Sequence, residues 1–145
     1  MNIQSILARK GSQVVTIGAR QTIREALETL VNYNIGALVV VNYAEQPIGI
    51  LSERDIVRAA ATGEALLHRD VDTLMTRELI TGVPEDELEV VAHTMTEHRI
   101  RHVPVVDDQG RLIGIVSIGD IVKAQRDQYE GELYTLQTQI LADTA

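Results

Sequence analysis

The apolar positions along the first half of the chain alternate between two periods. Val14-Val15-Thr16-Ile17 reads as a short strand, and Thr22-Ile23-Arg24-Glu25 then carries the capping-box signature of a helix start. Behind it Ile23, Ala26, Leu27, Leu30 and Val31 recur at helical spacing. Leu38-Val39-Val40-Val41 is an unbroken β-branched run, the pattern of a strand buried on both faces. After a polar turn containing Pro47, Ile48-Gly49-Ile50-Leu51 predicts a further strand. Ser52-Glu53-Arg54-Asp55 opens a second helix through Ile56, Val57 and Ala60. The predicted order is β-α-β-β-α.

The same grammar returns after a shift of 65 residues, which lays Val14 to Arg58 over Leu79 to Lys123 without a gap. Thr16 falls on Thr81, Ile35 on Ile100, Val40-Val41 on Val105-Val106, Ile48-Gly49-Ile50 on Ile113-Gly114-Ile115, Ser52 on Ser117 and Asp55-Ile56-Val57 on Asp120-Ile121-Val122. In the second copy Asp107-Asp108-Gln109-Gly110-Arg111 supplies the hairpin turn. A copy of about sixty residues is marginal alone, so the two are expected to stack and share buried surface. The predicted divisions are repeat 1 at 6–61, a connecting segment at 62–76, repeat 2 at 77–124 and a C-terminal amphipathic helix at 125–145. In the connecting segment Val71, Leu74 and Met75 are expected to anchor on the core. In the C-terminal helix Ile121, Val122, Tyr129, Leu133, Leu136, Ile140 and Leu141 form a stripe that Gly131 interrupts. That helix is expected either to fold back on its own module or to meet a partner subunit.

Composition narrows the function. The 145 residues are 45% hydrophobic with no Phe, Trp or Cys and four Tyr, so the core must be built from aliphatic side chains and Met. Absent cysteine removes disulfides, Cys-ligated zinc and thiol nucleophiles. Thirteen Lys and Arg against twenty-one Asp and Glu give a net charge of −8, a field that opposes nucleic acid and anionic membrane surfaces. The N-terminal residues have no long apolar stretch, and the longest apolar run, Ile35 to Val41, is too short to span a bilayer. A cytoplasmic protein is expected, with no nucleic-acid or membrane partner, and any anion it binds must be held by a local cluster.

Two segments offer such a cluster. Gly49 to Asp55 and Gly114 to Asp120 each place a small residue in a strand, a Ser at a helix start and an Asp three residues on. Free N–H groups at a helix N-terminus attract anions, and a carboxylate can accept two hydrogen bonds from a vicinal diol, so the pair suits a nucleotide. The same residues also serve as plain helix caps, and spacing alone favours that reading. The stretch His98-Arg99-Ile100-Arg101-His102 is densely basic for an acidic chain, and Arg54 sits beside Asp55. The spacing of His93, His98 and His102 does not suit a shared zinc. No nucleophile elbow, phosphate-binding P-loop or dinucleotide-binding glycine motif occurs, so no catalytic residues and no metal are expected.

The two copies, each closing with Gly-Ile-Leu/Val-Ser-x-x-Asp-Ile-Val, together with Arg101-His102-Val103-Pro104-Val105-Val106 ahead of Gly110 to Ser117, resemble a tandem cystathionine-β-synthase-type (CBS) domain pair, or Bateman module. The resemblance runs from about Ile6 to Lys123. It implies an α/β (α+β) fold of two β-α-β-β-α repeats stacked with pseudo-two-fold symmetry, plus the C-terminal helix, in a stand-alone CBS-pair protein. It also implies non-enzymatic sensing of an adenine nucleotide, AMP, ADP, ATP or NAD(H), in clefts between the copies, by a homodimer that signals to an effector protein. By resemblance, one cleft uses Ser52 and Asp55 with Thr81, Val83, Arg101, His102 and Val103. The other uses Ser117 and Asp120 with Thr16, Gly18, Gly36 and Ala37. Arg101-His102 stands where the first copy has Gly36-Ala37, so the Asp55 cleft is expected to be the better phosphate site. His102 is expected to add charge as the pH falls toward about 6.5. Lys10 is a further candidate to close over a phosphate or to charge the Asp120 cleft. The rival expectation is a ligand-free structural module whose role is dimerisation.

Overall fold

The computed structural model describes residues 1–63 and 65–144; Glu64 of the connecting segment and Ala145 of the C-terminal segment lie outside the described residues. Helix α1 spans Ile3–Lys10, followed by β1 at Thr16–Gly18, α2 at Ile23–Tyr33, β2 at Ala37–Val41, β3 at Pro47–Ser52 and α3 at Glu53–Ala60. A 3-10 turn at Val71–Thr73 precedes α4 at Leu88–His98, β4 at His102–Val106, β5 at Leu112–Ser117 and α5 at Ile118–Thr144.

The local signals read from the sequence act as expected in the first copy. Thr22 accepts from the Glu25 N–H and Glu25 reaches back to the Thr22 N–H, a complete capping box on α2. β2 pairs in parallel with β1 and antiparallel with β3. The first strand sits slightly later than expected, at Thr16–Gly18 rather than 14–17. In the second copy it shrinks to one bridge between Gly82 and Val105, because Pro84 follows and has no N–H to extend a ladder. The hairpins repeat each other closely, each slipping register at the matching place, between Val40 and Val41 and between Val105 and Val106.

The two aliphatic cores reach beyond the repeats as the sequence divides them. One joins Ile17, Ile23, Leu38, Val40 and Leu51 to Leu66, Val71 and Met75 of the connecting segment. The other joins Leu88, Val91, Met95, Val103, Val105, Val116 and Ile121 to Ile3, Ile6 and Leu7 of α1. Helix α1, which the sequence reading did not identify, thus packs on the second repeat. It is held there by the Ile3 N–H on the Asp86 carbonyl at 3.0 Å and the Gln4 N–H on the Pro84 carbonyl at 2.9 Å. The connecting segment returns the exchange, with the Thr76 N–H on the Ile50 carbonyl at 2.8 Å. Matching glycines receive the crossing side chains. A Cβ at Gly114 would lie 2.7 Å from the Leu7 side chain, and one at Gly49 would lie 2.5 Å from the Met75 sulfur.

α5 runs unbroken for 27 residues, through Gly131, where a glycine interruption was expected. A single Gly costs about 1 kcal/mol against Ala in a helix, and good helix formers on both sides, Glu130, Glu132 and Leu133, carry the helix across it. Among the described residues no helix is long and apolar enough to cross a membrane.

Candidate functional site

A cleft of about 530 Å³ opens at the start of α3. Its floor is the end of β3, Ile50 and Ser52, where the strand hands over directly to the helix. Ser52 and Asp55 form a reciprocal cap: the Asp55 N–H donates to Ser52 Oγ at 3.3 Å, while the Ser52 N–H and hydroxyl donate to Asp55 Oδ2 at 2.8 and 3.0 Å. The cap reading of this motif is the one seen directly. The cap consumes one carboxylate oxygen, and among the described residues no donor reaches the other, Oδ1.

Four guanidinium groups line the cleft, Arg54 and Arg58 from α3 and Arg99 and Arg101 from the turn into β4. Among the described residues none of the four is held in a salt bridge. Glu53, Asp55 and Glu78 share the walls, so the cleft has one net positive charge in a chain of net charge −8. Arg99 holds its place by backbone geometry. It is the C-cap of α4 in the left-handed region, φ 55°, as Asn34 is for α2 at φ 52°. A long cationic side chain in a conformation that favours Gly or Asn is a cost borne at the rim of the cleft.

Ser52, Arg54, Asp55, Arg101 and His102 are brought together as the sequence grouped them. Thr81 and Val83 are exposed but off the lining, and their place is taken by the residues just before them, Thr76, Glu78, Leu79 and Ile80. Val103 is 2% exposed and faces the core, so its side chain is withdrawn from the cleft. Gly36 lies in the Asp55 cleft rather than opposite Asp120: its carbonyl accepts the Glu53 N–H at 2.9 Å. Ala37 is buried beneath it. Gly36 and Arg101 thus face one cavity, which corrects their expected division between two clefts. Arg58, Glu78 and Ile80 were missed because their apolar or charged character is ordinary for a surface strand or helix end.

The surroundings of Asp120 differ. Lys10 Nζ, at the end of α1, lies 2.6 Å from Asp120 Oδ2, which also accepts the Ser117 N–H at 2.9 Å. Burial alone would raise the Asp120 carboxyl, but the Lys10 ammonium and the Ser117 donors outweigh it and hold it below the usual Asp value. Thr16 belongs to a separate cavity of about 260 Å³ with Ser12, Val14, Val41, Glu45 and Leu112. Gly18 is in β1 with its N–H on Gln21 Oε1 at 2.8 Å. Neither cavity joins Thr16 or Gly18 to Ser117 and Asp120.

His102 sits between the two Asp sites. Burial first, and then the Lys10 and Arg101 cations, push its pKa below the ordinary His value, against the pull of Asp120 and Glu53. Its charging is therefore displaced to lower pH than the expected approach to about 6.5. His93 contacts Glu97 at 3.1 Å, and among the described residues no cluster of three His, Asp or Glu is placed to hold a metal ion.

The CBS domain family model matches the chain twice, over residues 6–62 and 69–127. A mitochondrial CBS domain-containing protein of Arabidopsis thaliana, CBSX3, is 40% identical over 124 residues, 82% of this chain, and the chain spans 60% of that relative's length. A crystal structure of a CBS-domain containing protein from Agrobacterium tumefaciens superposes with a TM-score of 0.82 at 41% identity, covering 86% of this chain and 99% of that one. The CBS domain pair of protein MJ0100, in complex with 5′-methylthioadenosine and S-adenosyl-L-methionine, matches with a TM-score of 0.77 at 31% identity, covering 86% and 98% of the two chains. Two matches to one family, on two repeats that exchange helices and carry the same Ser-x-x-Asp cap, settle the assignment: the chain belongs to the CBS domain family, as a CBS domain pair.

Proposed function

We propose that this chain is a regulatory sensor that binds an adenine nucleotide, AMP, ADP, ATP or NAD(H), in the Asp55 cleft. Occupancy is passed to an effector protein, and the working unit is a homodimer. The observation that carries the reading is the convergence, on a single cleft of an acidic protein, of four arginines that make no salt bridge among the described residues and a carboxylate with one oxygen that no donor among them reaches. The Asp55 Oδ1 oxygen suits a ribose diol, and the arginines at the mouth suit phosphate. The MJ0100 pair, similar at 31% identity, was solved with two adenosine-containing ligands, which supports the class of ligand.

The Asp120 site differs because Lys10 already occupies its carboxylate at 2.6 Å. Among the described residues no donor reaches Asp120 Oδ1 either, so the two sites differ in the ammonium held beside Asp120 against the four arginines around Asp55, and the Asp55 cleft is filled first by a phosphate-bearing ligand. A ligand can shift a partner-facing arrangement only by its differential affinity for two states, and Thr76, Glu78, Leu79 and Ile80, which line the cleft, join it to the connecting segment.

A thermal-shift screen of the nucleotides against adenosine, with native mass spectrometry of the purified protein, tests the reading. A ligand at 100 times its dissociation constant stabilises by about 2.7 kcal/mol. A shift with one or more of the nucleotides, or co-purified nucleotide, is expected. No shift with any of them and no bound nucleotide would leave the dimerisation module in its place.

A further inference from the structure

Ala124 is the last buried residue on α5, and Asp127, tied to Arg9 at 3.2 Å, is the last one held against the body. From Gln128 to Thr144 every described residue is exposed, so α5 leaves the module as a bare arm. At about 1.5 Å per residue the stretch from 125 to 144 is about 30 Å long. Its large apolar side chains are not scattered. Tyr129, Leu133, Leu136 and Ile140 are 63%, 42%, 55% and 60% exposed and alternate at spacings of four and three. That is the seam of a two-stranded coiled coil rather than the wider stripe of a helix lying on a globular core. Continuing the same alternation reaches Arg126 at the inner end and Asp143 at the outer end.

We infer that this arm pairs with the arm of a second copy of the chain, running antiparallel. In that register Tyr129 faces the partner's Ile140, Leu133 faces the partner's Leu136, and Arg126 faces the partner's Asp143. The end charges choose both occupant and direction. A parallel pair in register would set Arg126 on the partner's Arg126 and Asp143 on the partner's Asp143, two like-charge contacts at seam positions. Reversal turns both into ion pairs and leaves Glu130 and Glu132 beside the partner's Gln137 and Gln139, with no like charges abutting. A seam complementary to its own reverse is what an antiparallel two-fold pairing requires, and a foreign helix would not need it. The inference rests on the homodimer reading above and specifies where and how the copies meet.

The chain has no cysteine, so introduced thiols report proximity without background. Arg126→Cys and Asp143→Cys, both at exposed sites, are oxidised mildly, each alone and co-expressed together, and light scattering gives the mass. A dimeric mass with a disulfide-linked dimer in the co-expressed sample alone is expected, and Leu133→Glu in both chains should abolish that link. Linking of either variant with itself would overturn the antiparallel pairing, as would a link that survives Leu133→Glu. A dimeric mass with no link in any sample would overturn the arm pairing while sparing the homodimer, and a monomeric mass would overturn both.

Discussion

Among single residues, the most exposed trade-off is at Arg99. Its backbone is in the left-handed region while its guanidinium lines the cleft. Arg99→Gly removes a steric cost of about 1–2 kcal/mol, offset in part by the entropy Gly loses on folding. The variant should melt no lower than the parent, and often higher, yet bind ATP more weakly. Unchanged ATP affinity would remove Arg99 from the site. His102 makes the opposite kind of statement. Its folded pKa is lowered, chiefly by burial, so the unfolded chain takes up the proton first. The resulting stability is fully present above the unfolded value of about 6.5 and is lost as pH falls through it toward the folded pKa. His102→Gln should therefore show a smaller fall in melting temperature between pH 7.5 and 5.5 than the parent. Equal falls would contradict the assignment. Asp55 and Asp120 show what a motif leaves open. Both sit three residues after a capping Ser, and the sequence between distinguishes them only by Glu53-Arg54 against Ile118-Gly119. A difference the sequence does not show is Lys10, 110 residues from Asp120 along the chain and 2.6 Å away in space.

At the scale of elements, the repeat made the order of strands and helices legible because hairpin, cap and buried-strand signals are local. Helix α1 was not legible. Ile3, Ile6 and Leu7 are a short apolar set whose partners, Leu88, Val91 and Val116, lie in the other repeat. The site was legible where it is made of caps and basic side chains, at Ser52, Asp55 and Arg101. It was not legible at residues 76–80, whose position depends on the crossing of the connecting segment. The exchange itself can be tested. Gly114→Ala puts a methyl 2.7 Å from the Leu7 side chain and should cost about 1–3 kcal/mol by overpacking. Leu7→Ala should cost about 2–5 kcal/mol alone. Because the second change empties the space the first one needs, the double variant should be less destabilised than the two losses added. Strict additivity in denaturant titrations would mean that α1 does not dock on β5.

For the whole molecule, the net charge of −8 opposes a polyphosphate, and the proposed reading puts its binding at the Asp55 cleft, where four arginines stand against three carboxylates. ATP affinity at this cleft should then fall steeply with added salt, since guanidinium–phosphate contacts are screened, whereas adenosine affinity should hardly move. Parallel salt dependence for the two ligands would show that the arginines do not touch phosphate. The same charge balance argues that the ligand reaches this protein by a local cluster and not by its overall field. The measurement that reaches the central claim most directly is calorimetric titration of ATP and adenosine into the parent, Asp55→Ala and Asp120→Ala, with melting curves to register the lost cap. Asp55→Asn serves as the variant that keeps a capping acceptor. A hydrogen bond to a charged group is worth about 1.5–3 kcal/mol, so both Asp55 variants should lose about ten- to a hundred-fold in ATP affinity. Asp120→Ala should keep the parent's affinity and its preference for ATP over adenosine. ATP binding by Asp55→Ala at the parent's affinity, or equal losses in the Asp55 and Asp120 variants, would contradict the account.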